Sequence, residues 1–205
     1  MSTRASAIHR GLRLESFTVA WNLLEATVAL VSGAVAGSIA LIGFGLDSLI
    51  EVSSGGVLLW RLSADRDEER RETVERNALK LVGLSLILLA AYVAGDSALS
   101  LVRRESPQRS VPGIALAIGS LIAMPLLARA KRRVASALGS SALQADSRQT
   151  DICAYLSAIL LVGLLLNATF GWWWADPLAG LVMVPLIAYE GSEALRAKTC
   201  CQHCR

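Results

Sequence analysis

Two carboxylates, Asp47 and Glu51, lie in the middle of a membrane-length apolar stretch, SIALIGFGLDSLIEVSSGGVLLW, at residues 38–60. At about 100° per residue, a spacing of four stacks them on one helix face, where two carboxylates can hold one cation between them. A charge at the centre of a spanning helix costs about 2.5–3.5 kcal/mol on insertion scales, so each acid requires a reason. Counted from Ser38 at ~1.5 Å per residue, the pair lies roughly 15–20 Å deep, near the bilayer midplane where transporters keep their sites. One reading puts the acids at a helix interface, neutralised by protons or by partners on neighbouring helices. The other makes them an ion site, which requires further ligands at the same depth.

A facing helix should therefore carry ligand-capable residues four apart, and residues 142–170 do so with Gln149 and Cys153. Asp146 falls on the same stripe, one turn nearer the membrane surface. Asp151 falls roughly opposite, since two residues turn a helix by about 200°. Its expected partner is Arg148, another helix or another subunit. In the first apolar stretch Glu15, Asn22 and Glu25 share one stripe with Thr18, so this helix should turn its polar side into a bundle. Glu25 is the deepest of them, as a proton relay or as a hydrogen-bonded partner.

Positioning these groups takes six spans, near residues 14–32, 38–60, 77–102, 114–128, 142–170 and 176–194, and the predicted fold class is all-α and polytopic. A chain of 205 residues with 54% hydrophobic and 18% charged residues fits such a protein rather than a soluble domain. The basic N-terminus precedes an apolar run too long for a signal peptide, and that run is read as a retained first span. The segment RLSADRDEERRETVE, residues 61–75, has interleaved signs at helical spacing and reads as a solvated extension of the helices. Pro125 should kink or loosen the fourth span, and Trp172, Trp173 and Trp174 form an aromatic belt. Asp176-Pro177 reads as the N-cap and first residue of the sixth helix. Arg4, Arg10, Arg13, the 61–80 segment, Arg129 to Arg133, Arg196, Lys198 and Arg205 fall on one side of the membrane. Only Arg103, Arg104 and Arg109 fall on the other, which predicts cytoplasmic termini. No nucleic-acid signature, nucleophile–base pair or cofactor motif stands out, so neither an enzyme nor a prosthetic group is expected.

With these motifs the sequence resembles the membrane domain of the cation diffusion facilitator, or cation efflux, family. GLDSLIEVSS matches that family's metal-binding helix, with Asp47 and Glu51 at the two ligand positions. ALQAD, residues 142–146, matches the motif that precedes the second ligand pair; counted on without a gap, the family's usual His falls on Gln149 and its usual Asp on Cys153, while a two-residue gap, ranked second, would make Ser147 and Asp151 the pair and Asp151 a metal ligand. The Asp176-Pro177 pair agrees as well. The resemblance implies a divalent-metal transporter of the bacterial-type inner membrane, a homodimer that exchanges metal for protons, most naturally as an efflux system. It is to the small members with a membrane domain alone, residues 1–198 here, since the chain stops within about ten residues of the last span.

Ligand chemistry supports the exchange: carboxylates and a thiolate bind a cation only when deprotonated, so metal and protons compete for the same atoms. A neutral amide is a poor zinc ligand and a thiolate favours soft or borderline ions, so Gln149 and Cys153 bear on the choice of metal, with zinc expected first. The competing class is a metal-responsive sensor or assembly partner that does not transport. Residues 199–205 crowd Cys200, Cys201, His203 and Cys204 into a tail read either as a metal-capture segment or as an incidental thiol-rich end.

Overall fold

The computed structural model describes residues 2–63, 68–139 and 141–196. Among them the elements are α1 (Ser2–Ala36), α2 (Ile39–Ser63), α3 (Glu68–Arg103), α4 (Val111–Leu138), α5 (Ser141–Phe170) and α6 (Ala175–Arg196), with no strand. All six are long and apolar enough to cross a membrane, as expected. The Cys/His tail at 199–205 lies outside the described residues. Several helices overrun the apolar stretches that announce them, α3 starting at Glu68 within the charged segment read as a helical extension. α1 begins at Ser2, and α4 continues through ARAKRR to Leu138, because Ala, Lys and Arg are good helix formers and charge alone does not stop a helix. α4 remains helical through Pro125.

The chain reverses between α1 and α2 at Gly37, whose φ of 65° suits a residue without a Cβ. Ser38 N–H then bonds back to Gly33 O at 3.0 Å. α4 is delimited at both ends: the Ser110 side chain accepts from Gly113 N–H at 3.1 Å, and left-handed Gly139 donates to Ala135 O.

Asp176 corrects the sequence reading. α6 already begins at Ala175, and the Asp176 carboxylate turns sideways to cap α2 instead of its own helix. It accepts from the Ser38 hydroxyl at 2.5 Å and from Ile39 N–H at 3.0 Å, with Ala40 N–H at 3.5 Å. Ser38, Ile39 and Ala40 are all buried, so the unpaired N–H groups at the start of α2 cannot turn to water. A carboxylate there also meets the positive end of the helix dipole.

The bundle is built from the pairs α1–α2, α4–α5 and α3–α6, and α2 also touches α3, α5 and α6. Phe44, Leu86, Met124, Leu156, Leu160, Met183 and Ile187 fill the interior. Leu81, Leu88, Ile122, Leu126 and Val162 point outward, as a lipid-facing surface requires. Trp172 and Trp174 stack at 4.9 Å at the α5–α6 turn, in keeping with an interfacial belt.

Small residues let the helices close. A Cβ on Gly83 of α3 would stand 2.8 Å from Gly191 O and 2.9 Å from Leu195 N of α6, contacts that only a backbone shift could relieve. Gly83→Ala should therefore destabilise the detergent-solubilised protein by about 1–3 kcal/mol. Gly95→Ala on the same helix, with nothing within 4 Å of the new methyl, should slightly raise its melting temperature. Paired thermal melts read the difference, and equal behaviour of the two variants would refute the close packing of α3 on α6.

Candidate metal centre

α2 turns its acids inward. Asp47 is 0% and Glu51 6% exposed, and both belong to the face that meets the neighbouring helices. Glu51 Oε2 accepts from Asn22 Nδ2 of α1 at 2.7 Å. Its Oε1 and both oxygens of Asp47 have no hydrogen-bond partner among the described residues. From α5, Cys153 is fully buried and lies within the electrostatic reach of Asp47 and Glu51. Gln149 sits one turn away, where Ser54 of α2 reaches its Oε1 at 3.5 Å. Asp47, Glu51, Gln149 and Cys153 are thus gathered where α2 and α5 meet. Among the described residues, no three His, Cys, Asp or Glu side chains converge closely enough to hold an ion as they stand. Closing on a cation would take side-chain rotation or a shift of one helix.

One residue at this level escaped the sequence reading. Glu190 of α6 is 6% exposed, lies within the electrostatic reach of Asp47, Glu51 and Cys153, and has Gln149 beside it. The signal was present in PLIAYEGSEAL: Glu190 continues the buried stripe of Met183 and Ile187 at spacings of seven and three. Its place near the end of the span, with Glu193 beside it, makes it look like a residue at headgroup level.

Glu25 has a different environment. Its carboxylate accepts from Trp21 Nε1 at 2.6 Å, from Ser48 Oγ at 3.3 Å and from Ser120 Oγ of α4. Three donors make it a hydrogen-bonded junction of α1, α2 and α4, the second of the two roles expected for it. Glu15, Thr18 and Asn22 are buried with it, as their shared stripe predicts.

Toward the end of the bundle that carries the chain termini, a third arrangement appears. Lys131, part of the basic cluster that the sequence places on one side of the membrane, is 0% exposed. α4 continues past the apolar stretch and delivers Nζ to Glu15 Oε2 at 2.9 Å and Asp146 Oδ2 at 2.6 Å, with Thr150 Oγ1 at 3.4 Å. Asp146 is therefore ion-paired here, one level away from Asp47. A small polar pocket is lined by Glu15 and Asp146 together with Asn22, Gln149 and Glu51. Asp151 points elsewhere and pairs with Arg132, not Arg148, because α4 and α5 pack side by side and bring Arg132 across to it.

Comparison with known proteins agrees with this architecture. The family model of the cation efflux transmembrane domain matches residues 17–199. An uncharacterized transporter of Synechocystis is 31% identical over 83% of this chain and 58% of its own length. An uncharacterized transporter of Methanocaldococcus jannaschii is 26% identical over 83% of this chain and 62% of its own. The cation-efflux pump FieF of Shewanella oneidensis is 27% identical over 54% of this chain and 38% of its own. The chain thus spans less than two thirds of the length of each of these relatives.

Removing the buried cation has a definite consequence. Lys131→Ala leaves Glu15 and Asp146 facing one another, and breaking a buried pair in this way costs about 3–5 kcal/mol. Adding Glu15→Gln to that variant should recover part of the loss, because one of the two stranded charges is gone. Denaturant unfolding in detergent measures both; a Lys131→Ala protein as stable as the parent would contradict the buried triad.

Proposed function

Because the chain belongs to the cation efflux family, we propose that it carries divalent transition-metal ions across the membrane, zinc first, in exchange for protons. The observation that carries this reading is Asp47: a carboxylate fully buried in mid-span, with no donor on either oxygen among the described residues, a turn from the half-satisfied Glu51. Asp47 and Glu51 are the principal ligands of the cargo. Cys153 and then Gln149 complete the approach from α5. Asp146 lies on the cytoplasmic access route, and Asp151 serves the α4–α5 contact.

The exchange follows from the donor set. Each carboxylate oxygen holds a proton or a cation, and Cys153 binds metal strongly only as a thiolate. Metal arriving from one side displaces protons, and protons arriving from the other displace metal. Alternating access turns that competition into antiport, directed outward from the cytoplasm. The orientation proposed has both termini cytoplasmic, in a bacterial-type inner membrane, with the chain acting as a homodimer. Its support is the positive-inside distribution of Arg10, Arg13, Arg129, Arg133 and Arg196. The neutral Gln149 keeps one rival reading in view, a metal sensor that binds without transporting.

Purified protein in sealed proteoliposomes tests the proposal, with zinc, cadmium, manganese, iron(II) and cobalt offered against a lumenal pH indicator. Saturable metal uptake with counter-movement of protons is expected for at least one ion, zinc before the others. The Asp47→Asn, Glu51→Gln double variant should lose it while keeping the parent's melting temperature. Metal binding without any ion movement would overturn transport in favour of sensing.

A further inference from the structure

We propose that Glu190 of α6 is a direct ligand of the cargo, the third carboxylate of a site spread over α2, α5 and α6; this rests on the transport reading of Asp47 and Glu51.

Register places Glu190 level with Glu51. Asp176 fixes the first turns of α6 and α2 at one level, because its carboxylate is bonded to Ser38 and Ile39. The two helices then run in the same direction. Glu51 lies twelve residues beyond Ile39 and Glu190 fourteen beyond Asp176. At ~1.5 Å per residue these are advances of about 18 and about 21 Å, so the two acids arrive at the same depth. The stripe Asp176, Gly180, Met183, Ile187, Glu190 is buried along its length, which aims Glu190 into the bundle.

Its surroundings then separate it from the other buried acids. Glu25 has three donors, and Glu15 and Asp146 share Lys131. Glu190 has no cation, and the one donor beside it among the described residues is the Gln149 amide, whose approach falls short of an ordinary hydrogen bond; the acids within its electrostatic reach are Asp47 and Glu51. A carboxylate buried against two others without a cation is costly unless a cation or protons come to it. α5 contributes to the same level only an amide, Gln149, and a thiol, Cys153. A divalent ion drawn to Asp47 and Glu51 therefore finds its remaining hard, anionic donor on α6, which the flexible Glu side chain can bring to it.

The test uses the full chain in detergent, with zinc and cadmium alone as probes. Titration calorimetry gives the affinity, and X-ray absorption at the metal edge gives the number of oxygen or nitrogen donors. Glu190→Gln should weaken binding about tenfold to hundredfold and remove one oxygen from the shell. Glu190→Asp, which keeps the charge but shortens the reach, should weaken it as well. Adding Cys153→Asp to Glu190→Gln, which returns a carboxylate from α5, should restore at least about tenfold of the affinity. If Glu190→Gln binds metal with the parent's affinity and shell while Asp47→Asn does not, the assignment of Glu190 falls and the transport site stands. If Asp47→Asn also binds as the parent does, the site itself has been misplaced and both readings fall.

Discussion

A carboxylate inside a membrane has to be met by hydrogen-bond donors, by a cation or by a proton, because the surrounding hydrocarbon offers none of the stabilisation that water does. Among the described residues, some acids receive one of the first two remedies in full and others keep oxygens that neither reaches. Glu25 is held by an indole and two hydroxyls. Glu15 and Asp146 are joined by Lys131. Among the described residues, both oxygens of Asp47 and one of Glu51 have no donor, and Glu190 has only the Gln149 amide beside it. The contrast within one bundle shows that the fold is able to satisfy a buried acid. The open group is thus a specific arrangement, and one suited to a mobile cation.

The rest of the architecture maintains that arrangement. α2 carries two of the open acids, so its register decides whether the site exists. Asp176 fixes that register from outside, by capping the buried start of α2 with a residue of α6. Glycines at the α1–α2 and α3–α6 contacts keep the helices close enough for the acids to sense one another. At Gly55 a Cβ would come within 2.7 Å of Glu15 Oε1, so this position admits the Lys131 triad itself. A small polar pocket is lined by both Glu51 of the open group and the triad's Glu15 and Asp146.

Much of this was legible in the sequence where one strong physical rule acted alone. Six apolar stretches gave six spans, and the polar stripe of α1 predicted its buried face. Where two rules competed, local reading lost. Lys131 belongs to a basic cluster in which no residue stands out, and only the packing of α4 against α1 and α5 brings Glu15 and Asp146 to it. Asp176 has the right residue and position for a local cap, yet the buried start of α2 had the greater need of an acceptor. Glu190 obeys the same rule that singles out Asp47, but it lies close to a span end, where an acid carries little information by itself. Asp151 could be excluded from one stripe by counting; its pairing with Arg132 depended on how α4 and α5 pack.

The account stands on where a cation settles. Crystals of the protein grown or soaked with cadmium, with data collected for anomalous scattering, locate it without reference to transport. A strong peak is expected within ligand distance of Asp47 and Glu51, on the side facing Cys153 and Glu190. A protein that binds cadmium only elsewhere, with the carboxylates of α2 unchanged and no density beside them, would contradict it.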